Sequence, residues 1–330
     1  MSLIEQAAKR LAELQRAGAD VRDAPDQAEI GPGSDGHLDR VPTSDTIVRE
    51  FHARNANLGQ SAAANIASDD LATAPIGRSD WGSSTPGQRV EFDLARLKAN
   101  GFVTPDVKDS QIANEFRVLK RPLIRNAQGR SGAAIRNGNL IMVTSALPGE
   151  GKTFTAANLA LSLAMEVDTT VLLVDGDVAR PSLPDVFGIP QSPGVMDLLT
   201  RDDLDLSQVL LQTNVERLVF LPAGTRHRHA TELLASARMG ALLRELASRY
   251  RNRIVIFDSP PLLATAEASA LAAQMGQIVM VIAADSTPRR TVSHALASIE
   301  RCEVVLMTLN KAARSDVGVY YGYYSADDPR

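Results

Sequence analysis

Residues 139–166 read NLIMVTSALPGEGKTFTAANLALSLAME, and their order decides the fold. An apolar run rich in branched residues predicts a strand buried on both faces. LPGEGKT (147–153) then breaks the pattern with two glycines, and TFTAANLALSLAME predicts a helix. Strand, glycine loop and helix in that order form a phosphate-binding loop: backbone N–H groups and the helix N-terminus face an anion. Gly149 and Gly151 let those N–H groups turn toward phosphate oxygens, Lys152 reaches the β- and γ-phosphates, and Thr153 ligates magnesium. The ATP-binding stretch on this reading is Pro148, Gly149, Glu150, Gly151, Lys152, Thr153 and Phe154. One departure is visible: the strict pattern GxxxxGK[ST] expects glycine where Ala146 stands.

Outward from this loop the same grammar repeats. TVLLVDGD, RLVFLPAG, RIVIFDSP, QIVMVIAAD and EVVLMTLNK are short continuous apolar runs separated by helical segments. Six such runs predict an α/β P-loop NTPase fold, a doubly wound and mostly parallel sheet flanked by helices, with functional residues at the strands' C-terminal ends. The second run ends in Asp175-Gly176-Asp177, followed by Arg180. Carboxylates beside a phosphate-bound magnesium ion either hold the metal or deprotonate an attacking hydroxyl. Asp175 is the candidate base and Asp177 the candidate metal neighbour; with Lys152 and Arg180 they form the catalytic set. The competing reading is that these acids cap the next turn. Asp258, closing RIVIFD, has the form of an acid that holds magnesium through water. Asn310 and Lys311 end the last run, where a base-recognition loop is expected.

The 330 residues carry 44% hydrophobic side chains and a net charge of −4, enough for one sizeable core and without the basic face that nucleic-acid binding needs. One cysteine, Cys302, excludes an internal disulfide and a cysteine zinc site and fits a reducing compartment, so a cytoplasmic location is expected. It reads as a small buried residue, and His227 and His229 as loop residues without metal-ligand partners. No apolar stretch is long enough for a membrane span. Residues 1–20 predict an amphipathic helix, 21–88 a flexible linker rich in Gly, Ser, Pro, Asp and Ala, 89–314 the P-loop domain and 315–330 a mobile tail. Within VEFDLARLKANGF, Asp93 is placed to cap a short helix that Gly101 ends. Four of the five tyrosines (Tyr320, Tyr321, Tyr323 and Tyr324) crowd into GVYYGYYSADDPR. They are either phosphoacceptors reaching an active site or amphipathic packing anchors.

EFRVLKRPLIRNA, SALPGEGKTFTAANLALSLA, VLLVDGDVARPSLPDVFG, ATELLAS, IVIFDSPPLL and the tyrosine tail together resemble the bacterial tyrosine kinase family. The likeness is nearest to the tyrosine autokinases of exosortase-type exopolysaccharide loci, and MSLIEQAAKRLAEL looks like that group's start. The resemblance implies ATP- and magnesium-dependent phosphorylation of one subunit's tail in a neighbour's site, in a homo-oligomer that controls export and chain length of a polysaccharide. It further implies a membrane-bound chain-length determinant or co-polymerase as activator, which would recruit the chain to the inner face of the cytoplasmic membrane. The family's oligomer-forming Glu-x-x-Arg-x-x-Arg is altered here: Glu115 and Arg121 match, Arg117 lies between them, and Val118 replaces the first arginine. Ala179 stands where a second arginine often precedes Arg180 and its proline. Two alternatives remain. Division-site and plasmid-partition ATPases usually carry a further lysine in KGGxGKT, a place held here by Leu147; a weakly catalytic regulatory scaffold would carry the same residues as a kinase.

Overall fold

The computed structural model describes residues 88–107, 109–130, 134–248 and 252–313. The expected N-terminal helix, nearly all of the linker and the tyrosine tail lie outside them. The chain opens with helices α1 (Leu94–Ala99) and α2 (Gln111–Ala127), followed by β1 (Leu140–Ser145), α3 (Lys152–Ala164), β2 (Thr170–Asp175), α4 (Leu183–Phe187), α5 (Val195–Thr200) and α6 (Leu206–Val209). Then come β3 (Leu211–Gln212), β4 (Leu218–Leu221), α7 (Ala230–Leu234), α8 (Ala237–Ser248), β5 (Arg253–Asp258), α9 (Ala266–Ala272), β6 (Gln277–Ala283), α10 (Arg289–Ala297) and β7 (Val304–Asn310).

All six apolar runs are strands, in a seven-stranded sheet of order β3-β4-β2-β5-β1-β6-β7. Every pairing is parallel except that of β3 with β4. The seventh strand is two residues long, too short for any period in the sequence to announce it. Side chains alternate between the faces, as a strand requires: Leu140, Met142, Leu172 and Val174 join one core, Ile141, Val143, Val171 and Leu173 the other. Burial on both faces is why these strands read as unbroken apolar runs.

On the second face, α3 is buried along its whole length from Thr155 to Ala164. Its alanines let the sheet and α2 approach closely, and such a helix has no polar face to reveal a period. Lys120 of α2, itself buried, donates to the Ser162 carbonyl (2.6 Å) and pairs with Glu166 (2.7 Å), which locks α2 to the far end of the P-loop helix. Nearby, Phe92 stacks on Phe187 with ring centroids 3.9 Å apart, and Phe220 meets both rings edge-on. Asp93 caps α1 as expected, its Oδ1 accepting from the Arg96 N–H, and Gly101 just beyond the helix has φ 77°.

Candidate functional site

The loop between β1 and α3 lies at the C-terminal ends of the strands, with the loops after β2, β5 and β6 beside it. Gly149 and Gly151 hold φ values of 83° and 100°, the left-handed region that side chains disfavour. Gly151 also has no room: a Cβ there would come within 1.9 Å of Asn310 Nδ2. That amide donates to the Glu150 carbonyl (2.8 Å), and Lys311 Nζ donates to the Gly149 carbonyl (2.7 Å). Asn310 and Lys311, expected beside the nucleotide base, thus brace the P-loop backbone.

Glu150 turns its carboxylate inward. It is buried, and accepts from the Leu147 N–H (2.6 Å), from the Thr287 hydroxyl and from the Ala283 N–H (3.4 Å). Its backbone, rather than its side chain, is therefore the part open to a phosphate. Pro148 lies in the same turn. The ring of Phe154 packs 4.9 Å from that of Phe102, away from the loop.

The acids occupy the other flank. Asp175 and Asp258 end the adjacent strands β2 and β5 and are register partners. Both are fully buried, and among the described residues neither Asp258 oxygen nor Asp175 Oδ1 has a partner at full hydrogen-bond distance, although the Thr153 hydroxyl lies near enough to Asp258 to favour its charge; Asp175 Oδ2 accepts from the Leu183 N–H (3.3 Å). Burial and the neighbouring charge of Asp258 push the Asp175 carboxyl well above the usual range. Burial likewise raises Asp258, to about 6, against the pull of the Lys152 ammonium. Asp177 is engaged twice. Its Oδ2 receives a hydrogen bond from Lys152 Nζ at 2.9 Å, and its Oδ1 accepts from the Arg180 N–H at 3.1 Å. The turn-capping role and the charge role therefore coexist in this one residue. Burial works against the Lys152 cation, but the charges of Asp258 and Asp177 outweigh it and hold the ammonium above its ordinary pKa.

Thr153 Oγ1 lies 3.2 Å from Ser182 Oγ, a hydroxyl that no sequence motif singled out, and the Arg180 side chain is exposed at the rim. Buried carboxylate oxygens without partners are costly unless a cation or proton joins them. Their place beside the P-loop lysine and the Thr153 hydroxyl fits a magnesium ion carried in on a nucleotide. No group of three or more His, Cys, Asp or Glu among the described residues could hold a metal by itself, so phosphate and water oxygens would complete the shell, as magnesium prefers.

The oligomer candidates sit on α2, away from this loop. Glu115 and Arg121 are exposed, Arg117 donates to Asn114 (2.6 Å), and Val118, at 72% exposure, leaves an apolar side chain where the pattern places an arginine. The four tail tyrosines are outside the described residues. His227 and His229 are exposed in the loop after β4, and Cys302 is half-buried with its thiol raised by burial. No helix among the described residues is long and apolar enough to cross a membrane.

Fold and site together define a nucleotide-binding P-loop domain, and the family model described as an AAA domain matches residues 138–311. The chain is 32% identical over 189 residues to the tyrosine-protein kinase YwqD of Bacillus subtilis (strain 168), covering 57% of this chain and 78% of that one. It is 30% identical over 236 residues to the tyrosine-protein kinase ptk of Acinetobacter johnsonii, covering 71% of this chain but 31% of the relative. Among solved structures, the BceF tyrosine kinase domain superposes with a TM-score of 0.53 at 26% identity, over 68% of this chain and 93% of that one. The chimerical protein CapA2B2 shares the fold, with a TM-score of 0.56 at 24% identity over 69% and 95% of the two chains. The chain belongs to the bacterial tyrosine kinase family.

Proposed function

We propose that this chain is a protein-tyrosine kinase that uses magnesium and ATP to phosphorylate the tyrosine cluster Tyr320, Tyr321, Tyr323 and Tyr324 of a neighbouring copy. The observation that carries the proposal is the pair of buried carboxylates beside Lys152, in which both oxygens of Asp258 and Oδ1 of Asp175 have no hydrogen-bond partner among the described residues. A site of this kind is built for a polyphosphate and its cation. In it, backbone N–H groups from Gly149 to Thr153 cradle the phosphates, and Lys152 leaves Asp177 to meet the β- and γ-phosphate oxygens. Thr153, Asp177 and Asp258 would hold magnesium, which when bound neutralises charge developing on the phosphates. A phenol has a pKa near 10, so its attack needs a base. Asp175, which ends β2 beside the loop, is placed to be that base. The Tyr oxygen bonds to the γ-phosphorus, the bond to the β-phosphate oxygen breaks, the phenol proton passes to Asp175, and ADP leaves.

The names of the relatives and the identity of 32% with a tyrosine-protein kinase support the same chemistry. The wider role follows the family resemblance: a homo-oligomeric, cytoplasmic enzyme recruited to the membrane by a polysaccharide co-polymerase partner, cycling through phosphorylation to regulate exopolysaccharide synthesis and chain length. The test is incubation of the purified chain with Mg-ATP, followed by detection of phosphotyrosine. The wild type should acquire label, and the variant with all four tail tyrosines changed to Phe should not. ATP hydrolysis with no label on any protein would favour a nucleotide-controlled switch instead.

A further inference from the structure

The loop after β4 carries TRHRH (225–229), five consecutive exposed residues with two guanidinium and two imidazole groups. Nothing in the catalytic scheme uses it. Its stem is firmly built. Asp197 Oδ2 accepts from the Gly194 N–H (2.9 Å) and the Thr225 N–H (3.0 Å), and Gly224, at φ 86°, lies where a Cβ would come within 2.3 Å of that oxygen. Although burial opposes it, these N–H groups hold Asp197 below the usual carboxylate range, so the anchor stays charged. At the tip the His229 N–H donates to His227 Nδ1 (3.2 Å), which folds the loop on itself. Neither Arg226 nor Arg228 forms an ion pair or side-chain hydrogen bond with another described residue. A fixed stem that presents two unpaired guanidinium groups on a chain of net charge −4 marks a recognition surface for an anion.

The sheet order says how far that surface is from the chemistry. β4 is followed by β2, β5 and β1, all parallel, so the basic loop and the P-loop emerge at the same end, three strand spacings apart. At about 4.8 Å per spacing this is ~14 Å. The tyrosine segment supplies a matching ruler. In YYGYYSADDPR, Asp327 and Asp328 follow Tyr323 and Tyr324 by four residues, which in extended chain is also about 13 Å.

We propose that Arg226 and Arg228 dock the acidic pair Asp327-Asp328 of a second copy and so place Tyr323 or Tyr324 at the phosphoryl-transfer site. The proposal rests on the kinase reading and adds the determinant by which the substrate segment is recognised. The acceptors are set by distance from the acidic pair; Tyr320 and Tyr321, seven residues before it, are reached with slack.

The test uses the full chain with its four tail tyrosines changed to Phe as enzyme and a peptide of residues 315–330 as substrate. Arg226→Ala/Arg228→Ala should raise the KM for the peptide about five-fold, the scale of two exposed ion pairs, with kcat and the KM for ATP unchanged. A peptide with Asp327→Asn and Asp328→Asn should show the same rise with the parent enzyme, and no further rise with the arginine variant. Added salt should erase the difference between the two enzymes. Equal KM values for both enzymes, or losses that simply add, would overturn docking. If the parent enzyme leaves the peptide unlabelled, the kinase reading fails separately, and fluorescence anisotropy of the labelled peptide decides the docking: weaker binding to the arginine variant upholds it, equal binding refutes it. Vesicles of phosphatidylglycerol are the control. Loss of vesicle binding in the arginine variant with an unchanged peptide KM would assign the loop to a membrane surface and reject the peptide.

Discussion

The two flanks of the P-loop differ in how completely their polar groups are paired. On the β6 and β7 side, the Glu150 carboxylate, the Asn310 amide and the Lys311 ammonium all end on the loop or its neighbours, so the backbone is held without a ligand. On the β2 and β5 side, Asp175 and Asp258 keep oxygens with no partner among the described residues, and Lys152 rests on Asp177. One flank is finished by folding. The other keeps groups open for a ligand, and the difference separates the residues that shape the cradle from those proposed to do the chemistry.

The largest break in this comparison should come from Lys152→Met. It removes the ammonium that pairs with Asp177 in the acidic flank and should lower tyrosine phosphorylation by about 100-fold or more, measured as initial rate of label incorporation. Cutting the finished flank should act on folding instead. Glu150→Ala strands the Leu147 N–H and the Thr287 hydroxyl, and should cost about 2 kcal/mol in denaturant unfolding while raising the KM for ATP; Glu150→Gln, which retains an acceptor, should recover much of the loss.

The unfinished flank should respond in the opposite direction. A carboxyl held at about 6 in the folded chain against an ordinary 3.8 binds more protons folded than unfolded across that window. Stability therefore falls as pH climbs through it. Asp258→Asn should stabilise the ligand-free protein by about 2–3 kcal/mol at pH 8, with little of that gain left at pH 4, while lowering the rate of phosphorylation. The smallest effect should be that of Lys311→Ala, whose exposed contact with the Gly149 carbonyl is worth about 0.5 kcal/mol; thermal unfolding should register it barely.

The finished flank was also the less legible in sequence. The unbroken apolar runs specify buried parallel strands, and PGEGKT between a strand and a helix specifies the phosphate loop, because period and glycine placement are local signals. The acids at strand ends are legible for the same reason: an apolar run that stops at Asp marks the edge of a parallel sheet. What escapes is the direction of side chains across long separations. Glu150 sits in the motif, yet its carboxylate answers to Thr287; Asn310 is 160 positions from the backbone it braces; Lys120, a residue type that is usually exposed, is buried under Ser162 and Glu166. Such contacts depend on the assembled sheet order, which no local spacing encodes. The antiparallel β3 is missed for a plainer reason, being two residues long.

Uptake of a nucleotide with its magnesium by the open acidic flank is the step on which the proposed chemistry depends. It is tested most directly by thermal unfolding with ATP, with and without magnesium, in the wild type and in Asp258→Asn. Mg-ATP at 100 times its Kd should stabilise the wild type by about 2.7 kcal/mol, ATP with chelator should give far less, and Asp258→Asn should lose the difference between the two. Equal stabilisation by ATP with and without magnesium in the wild type, or an undiminished magnesium effect in Asp258→Asn, would contradict it.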